Sequence, residues 1–583
     1  MSFAEILHRI SEKYWKRRLQ SQLNIPVKPF LLPDIDWDRI RNLGSDIGPS
    51  KANEDLGSLE IFGYPAPKIN ESFKWNSFFD GTDTSKVTSF KIKYRNQQDI
   101  MKDIRLSWEL NRLTWLIRSS IWNPNSRTNL SVFRDFLQTD KPGFGIRWNS
   151  MIELAMQSLA LILLASLFEK KMNQSDLTLL NQALSYRLYF LQRLPSLYSS
   201  ANNHRIAELV ALFSLSESVR DTKLSRKYLK ELESQLISQI NSDGLNGELT
   251  SDYHVYVLDL LVTLKFLWKE SLEKSSIDHY IESMCRAAVI LKEGFQVWPS
   301  FSDSDDATLL SSIVGKNDRT LFLTKLAEIS ITDLDIDQTR FVHTFKDSGF
   351  TVAKWQTTNT TCSILIDHGK IGYGRIAAHG HADVLSVWLC YKSQPILVEA
   401  GTYSYHSNGD IRDTLRLGSM HNTISVDKES LSKPLGPFLW NPLQCATGRL
   451  DSVKSEKHLM TFSVSAEFGT RKQGKRRQAE RVIKFGEREL FVLDQAEKAN
   501  QISSNFIISP IFQQISHLSM DRKKFEFYSE DLGSFEISCM DNCTLSVDRV
   551  QISPSYGKLE DAYRVTISGT DKNMTKINLE KLN

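Results

Sequence analysis

The chain has 583 residues, 41% hydrophobic and 24% charged, too many for one ordinary core, so two large domains or one very large domain with an appendage are expected. Lys and Arg total 72 against 69 Asp and Glu, which excludes a general attraction to nucleic acid or an anionic membrane; any acidic ligand must be held by a local site. The six cysteines form no CxxC pair, so neither a zinc ribbon nor a dense disulfide framework is indicated, and free thiols are expected even for Cys539 and Cys543.

The opening string "MSFAEILHRISEKYWKRRLQSQL" carries basic residues but no apolar core of the signal-peptide type, so a cytoplasmic protein is expected. Residues 1–95 are read as an extension packing on the domain that follows. From about residue 96 to 338 the apolar spacing is helical. "DIRLSWELNRLTWLIRSSIW" places Ile104, Trp108, Leu110, Leu113, Trp115 and Leu116 on one broad face, and the pattern recurs in "RIAELVALFSLSESV" and "YVLDLLVTLKFLWKESL". The most apolar stretch, residues 154–168, is 15 long, contains Gln157 and Ser158, and lies between Glu153 and Glu169. That suits a buried helix and predicts no membrane span. No fixed-length repeat is present, so a solenoid is not expected.

After "ITDLDIDQTR", residues 331–340, short β-rich runs broken by Gly, Asn, Asp and Ser take over. A helical domain followed by a large antiparallel β-sandwich over 339–583 accounts for both halves. The basic run "RKQGKRRQAER", residues 471–481, reads as a solvated hairpin loop; a ligand there would be an acidic glycan, since no nucleic-acid motif accompanies it.

Three strings of the helical half combine groups able to do chemistry. "SSANNHRIAEL" sets Asn202, Asn203 and His204 at a helix start, and "GELTSDYHVYVLDLL" does the same with Glu248, Asp252, Tyr253 and His254; capping by Asn202 or Ser251 explains them without catalysis. "WPSFSDSDDATLL" gathers Asp303, Asp305 and Asp306, a cap, a calcium contact or a cleft wall. In the β half, "HGH" on a strand would aim His379 and His381 to one face. Two neutral imidazoles each need a partner, and two charged ones repel. A metal bound by one resolves the conflict. Glu399 at the end of an apolar run, and His421 before another strand, supply further ligands of zinc type. The alternative is that the histidines bond to a loop and Glu399 pairs with an arginine.

Together, "WELNR", "IRWNSMIELA", "NNHRIAE", "TSDYHVYVL", "SDSDD", "HGHADVLSVWL", "VEAGTYSY", "RDTLRLGSMHNTISVD" and "GPFLW" resemble the heparinase II/III family of polysaccharide lyases. The resemblance runs over residues 105–440 and implies an incomplete (α/α) toroid joined to an antiparallel β-sandwich. It also implies cleavage of a uronic-acid-containing glycan by β-elimination. Asn203, with His204, would meet the uronate carboxylate, and Tyr253 would protonate the leaving oxygen. Tyr253 or His379 would take the C5 proton, with Tyr405 the first candidate for a second aromatic base. Asp303, Arg412 and Arg416 are implied substrate contacts. His381, Glu399 and His421 would hold a divalent ion, zinc the expected one, in a mainly structural role; Glu399 stands where the family usually has aspartate.

The implied partner is an acidic polysaccharide or oligosaccharide, linked to surface-glycan metabolism, with no nucleic acid. Two rivals remain on the same scaffold. One is a glycoside hydrolase using carboxylates such as Glu208, Glu248, Asp252 or Asp303. The other is a non-catalytic glycan-binding protein.

Overall fold

A helix that is apolar all round has to be buried, whereas one with a single apolar stripe lies outside. That distinction organises the first half of the computed structural model, which describes residues 3–19, 24–48, 59–69, 73–331, 334, 336, 339–456, 458–469, 476–514, 523–540 and 542–582. Helices α1 (Phe3–Arg18) and α2 (Trp37–Ile47) precede α3 (Ile104–Arg112), α4 (Thr114–Trp122), α5 (Arg127–Gln138), α6 (Met151–Phe168), α7 (Gln174–Arg193), α8 (Asn203–Ser218), α9 (Thr222–Gln239), α10 (Ser251–Leu272), α11 (Ile277–Phe295) and α12 (Arg319–Leu326).

Along α6, α8 and α10 as far as Leu264 nearly every position is buried, while α7, α9 and α11 bury one side. Packing follows: α6 rests on α7 and α8, α8 on α9 and α10, and α10 on α11. Inner and outer helices therefore alternate, as in an (α/α) toroid. The apolar stretch expected to be a core helix is the interior of α6, 89% buried over its most apolar window. The run expected as one helical face divides into α3 and α4, because Leu113 adopts a left-handed φ of 61°.

The N-terminal segment joins the same core through Ile40, Trp75 and Phe79. Trp75 Nε1 donates to Asp135 Oδ2 at 2.6 Å, tying the segment to α5.

Apart from a short ribbon, Glu60–Ile61 with Tyr64–Pro65, strands begin at Arg340. Among the described residues they form antiparallel sheets of eight and ten strands, besides two short two-stranded ribbons. Arg477–Phe485, in the eight-stranded sheet, alternates buried and less buried positions, as expected where one face meets solvent. Val387–Tyr391 and Ile502–Ile508, in the ten-stranded sheet, are buried at every position. Both faces of that sheet are covered: Ile364 and Leu389 meet Phe462 and Ile483 in the sandwich core, whereas Val352, Leu365 and Trp388 join the helical core. Helix α11 lies against this second face, close enough that a Cβ on Gly294 would come within 3.0 Å of Val352 Cγ2. The domains are thus joined by an apolar seam, and the polar groups of both gather beside it.

Residues 471–475 of the expected basic loop lie outside the described residues. Arg481 at the end of that run is no loop residue: it is buried in a strand and paired with Asp494 at 2.7 Å. No disulfide joins Cys539 and Cys543.

Candidate active site

Two inner helices begin at one cavity, and capping sets their first turns. Asn202 Oδ1 accepts from the His204 amide at 3.2 Å, opening α8. Thr250, rather than the expected Ser251, caps α10 by accepting from the Tyr253 amide at 3.0 Å. Side chains in a first helical turn project past the helix end, so Asn203, His204 and Tyr253 all line a cavity of about 320 Å³. The start of α6 lines it as well, through Ile152 and Glu153.

The β-sandwich supplies the opposite wall with His379, Tyr405 and Phe438. The "HGH" string is a loop, not the expected strand: His379 has φ 64° and Ala377 φ 51°. Gly372 lets this loop fold back on itself, since a Cβ there would lie 2.5 Å from the carbonyl oxygens of Ala377 and Ala378. The two imidazoles nevertheless converge, on Asp303. His379 Nδ1 lies 3.1 Å from Asp303 Oδ2, and His381 Nε2 lies 3.0 Å from Oδ1. Arg412 grips the same carboxylate with two bonds of 2.9 and 2.8 Å. A carboxylate accepts only, so each facing ring nitrogen carries a hydrogen, which leaves His379 Nε2 as the acceptor. Burial pushes the Asp303 carboxyl up, but Arg412 and both imidazoles outweigh it and hold the group well below the usual range.

This placement corrects the expectation that Asp303, Arg412 and Arg416 contact substrate. Asp303 is fully buried behind the histidines, and Arg412 and Arg416 are each 1% exposed. Arg416 donates to the Gly436 carbonyl at 2.8 Å. All three are absent from the cavity wall. The aspartate-rich loop also divides its charges: Asp305 pairs with Arg105 at 3.2 Å and Asp306 with Lys316 at 2.7 Å.

The phenols meet across the domain boundary. The Tyr253 and Tyr405 hydroxyls are 2.8 Å apart, and the Tyr253 ring lies 4.5 Å from the His379 ring, centroid to centroid. Burial first, then Asp305 and Asp303, pushes the Tyr253 phenol well above its ordinary value; burial and Tyr253 do the same to Tyr405. Both are therefore proton donors near neutrality. Burial, with His379 and Arg112 nearby, lowers His204 to about 4, making it a neutral imidazole. Two arginines on the wall are matched by carboxylates, Arg105 by Glu109 at 2.7 Å and Arg112 by Glu153 at 2.7 and 2.8 Å.

The structure gathers His381, Glu399 and His421 within 4.8 Å of one another, all buried. His381 Nδ1, Glu399 Oε2 and His421 Nε2 lack a hydrogen-bond partner, a costly arrangement for protein alone. The donor set and orphaned atoms fit a divalent cation, and the His381–Asp303 contact is the carboxylate-to-histidine support common around metal ligands.

Sequence reasoning did not assign Glu248 a place beside Asn203. The fully buried Glu248 accepts from the Asn203 amide N–H at 2.8 Å and from Nδ2 at 3.0 and 2.9 Å. Its position five residues before Tyr253, at the foot of α10, was the available signal.

Residues 337–579 match the family model described as heparinase II/III-like, C-terminal. The fold is shared over nearly the full length of solved structures. A crystal structure of heparinase III aligns with TM-score 0.66 and 13% identity, covering 97% of this chain and 89% of that one. A second heparinase III aligns with TM-score 0.59 and 14% identity, covering 99% and 90%. The heparan sulfate lyase HepC of Pedobacter heparinus aligns with TM-score 0.54 and 15% identity, covering 99% and 88%. The chain therefore has the toroid-plus-sandwich fold that its resemblance implies. A comparison with curated proteins finds no match.

Proposed function

We propose that the protein is a polysaccharide lyase that cleaves a uronic-acid-containing glycan by β-elimination. One observation carries the reading: Asn203 and Tyr253 from the toroid face His379 and Tyr405 from the sandwich across a single cavity. The similar structures, heparinase III and a heparan sulfate lyase, agree with an acidic glycan as partner.

The difficulty of such an elimination is the C5 proton, whose removal places a second negative charge beside the uronate carboxylate. That charge must be met by hydrogen-bond donors already in place. Asn203 and His204 line the cavity where that carboxylate would lie, and the starts of α6, α8 and α10 turn their partial positive charge the same way. His379, oriented through Nδ1 by Asp303, takes the C5 proton on Nε2. Tyr253, kept protonated by burial, gives its hydrogen to the departing C4 oxygen, with Tyr405 bonded to it. Elimination then completes with C4–O cleavage and a C4–C5 double bond.

His381, Glu399 and His421 would hold a divalent metal ion, zinc the expected one. When bound it would supply fixed positive charge that pins the loop carrying His379. No step needs it as a Lewis acid.

The hydrolase alternative fares worse, because hydrolysis requires two carboxylates facing one sugar. Glu208, Glu248, Asp252 and Asp303 are all buried and absent from the cavity wall, and the two carboxylates on it, Glu153 and Asp305, are paired with Arg112 and Arg105. The deciding experiment incubates purified protein with a panel of defined acidic glycans and follows ultraviolet absorbance with mass spectrometry. Lyase action yields absorbing products with no added water; products heavier by one water and saturated at the new end would reject it.

A further inference from the structure

Asn203 can help an anionic sugar only if it offers a donor, and the hydrogen bonds around it decide whether it does. Its side-chain Nδ2 faces both oxygens of Glu248, while Oδ1 has no partner. With Glu248 ionised this is the only favourable orientation, because a carboxylate accepts and an amide oxygen cannot donate. The end then left over is Oδ1, an acceptor, which repels a carboxylate. With Glu248 protonated, the amide can turn over. One Glu248 oxygen still accepts the Asn203 backbone N–H at 2.8 Å, and the other donates to Oδ1, which frees Nδ2. The two ends of an amide are nearly isosteric, so the exchange needs no repacking.

On the lyase reading above, we propose that Glu248 is a positioning residue: as the neutral acid it turns the Asn203 amide so that Nδ2 meets the uronate, and as the carboxylate it withdraws that donor. The surroundings favour the neutral acid. Glu248 is fully buried, and the nearest basic group is His379, whose Nε2 lies 3.5 Å from Oε2. Asp305 of the neighbouring loop opposes ionisation, and the Tyr253 and Tyr373 phenols beside it, both raised, are uncharged and supply no counter-charge. Asn202, which caps α8, directs Nδ2 to His379 Nε2 at 3.4 Å rather than to Glu248. Burial, together with Asp305, raises the carboxyl despite His379 and Asn203.

The test pairs Glu248→Gln with Glu248→Ala. A glutamine reproduces the neutral acid at every pH, donating from Nε2 to Asn203 Oδ1 and accepting the backbone N–H. On a cleavable glycan, E248Q should keep kcat/KM within about threefold of the best wild-type value and lose the decline that the wild type shows as pH rises. E248A should lose about 10²-fold or more, with little further loss when N203A is added. An E248Q enzyme as poor as E248A, or one with an unchanged pH profile, overturns the proposal.

A second readout needs no substrate. A carboxyl whose folded pKa is raised contributes stability that is complete below its unfolded value and lost as pH rises through the folded value. The Tm of E248Q should therefore gain on the wild type as pH climbs from about 4.3, then level off. A flat difference overturns the proposal even if a glycan is cleaved. A rising difference with no glycan cleaved leaves Glu248 neutral and rejects the lyase reading alone.

Discussion

The hydroxyls of Tyr253 and Tyr405 lie 2.8 Å apart, although 152 positions separate them in the chain and one belongs to a helix of the toroid, the other to the sandwich. Each phenol is the other's hydrogen-bond partner in a site where an unpaired hydroxyl would be costly. Docking of the domains and assembly of the acid are therefore one event.

Tyr253→Phe should lower kcat by about 10²- to 10⁴-fold with little change in KM, because the lost proton donor acts in the transition state. Tyr405→Phe removes one neutral hydrogen bond and should cost about fivefold, from about 1 kcal/mol. Steady-state kinetics on a glycan identified by the absorbance screen check both. An equal loss in the two variants would make Tyr405 the proton donor instead.

Asp303→Asn should destabilise the protein by about 3–5 kcal/mol, since it leaves the Arg412 guanidinium buried without its counter-charge. Arg412→Met alone should do similar harm, and the double variant should recover part of the loss. Denaturant titration measures this. Purely additive effects would show that the pair is not a unit.

Removing bound metal with a chelator should lower Tm, and added zinc should restore it; at a thousandfold excess over Kd the gain is about 4 kcal/mol. Glu399→Gln and His421→Ala should reduce the zinc content found by elemental analysis of purified protein. Full zinc content in both variants would place the ion elsewhere.

Asp140→Asn tests a charge cluster away from the cavity, where Asp140 meets Arg187 at 2.5 Å and Trp148 Nε1 donates to it at 2.8 Å. Burial raises the Asp140 carboxyl, but Arg187 and Arg147 lower it further, and the net shift is down. Such a group adds stability above its unfolded value that is lost as pH falls through its folded value. The variant should be weaker by about 3–5 kcal/mol at neutral pH, and the gap should close below about pH 3.9. A pH-independent gap would mean that the effect is packing.

Much of this fold was legible in the sequence because burial follows periodicity: α6, α8 and α10 are apolar all round and lie inside, and the change to short β-rich runs marks the second domain. That Asn203, Tyr253, His379 and Tyr405 share one cavity was expected from motifs at two helix starts and from the "HGH" and "VEAGTYSY" strings. The roles of charged residues were not. Asp303 and Arg412 read as substrate contacts because one sits in an aspartate-rich loop that could wall a cleft and the other lies between two ligand positions. Nothing in their separation of 109 positions says that they neutralise one another. Glu248 was weighed only as a hydrolytic acid, since its bond to Asn203 spans 45 positions.

By itself the amino-acid order determined where the helical half gives way to the extended half, which faces are apolar, and which chemistry-bearing side chains the chain carries. The tertiary structure alone decided which of those side chains face the cavity and which turn inward to hold them. The physical reason is that hydrophobic periodicity is local, acting over three or four residues, whereas a hydrogen bond or ion pair is set by a distance in space. Only docking the toroid on the sandwich brings that distance to about 3 Å.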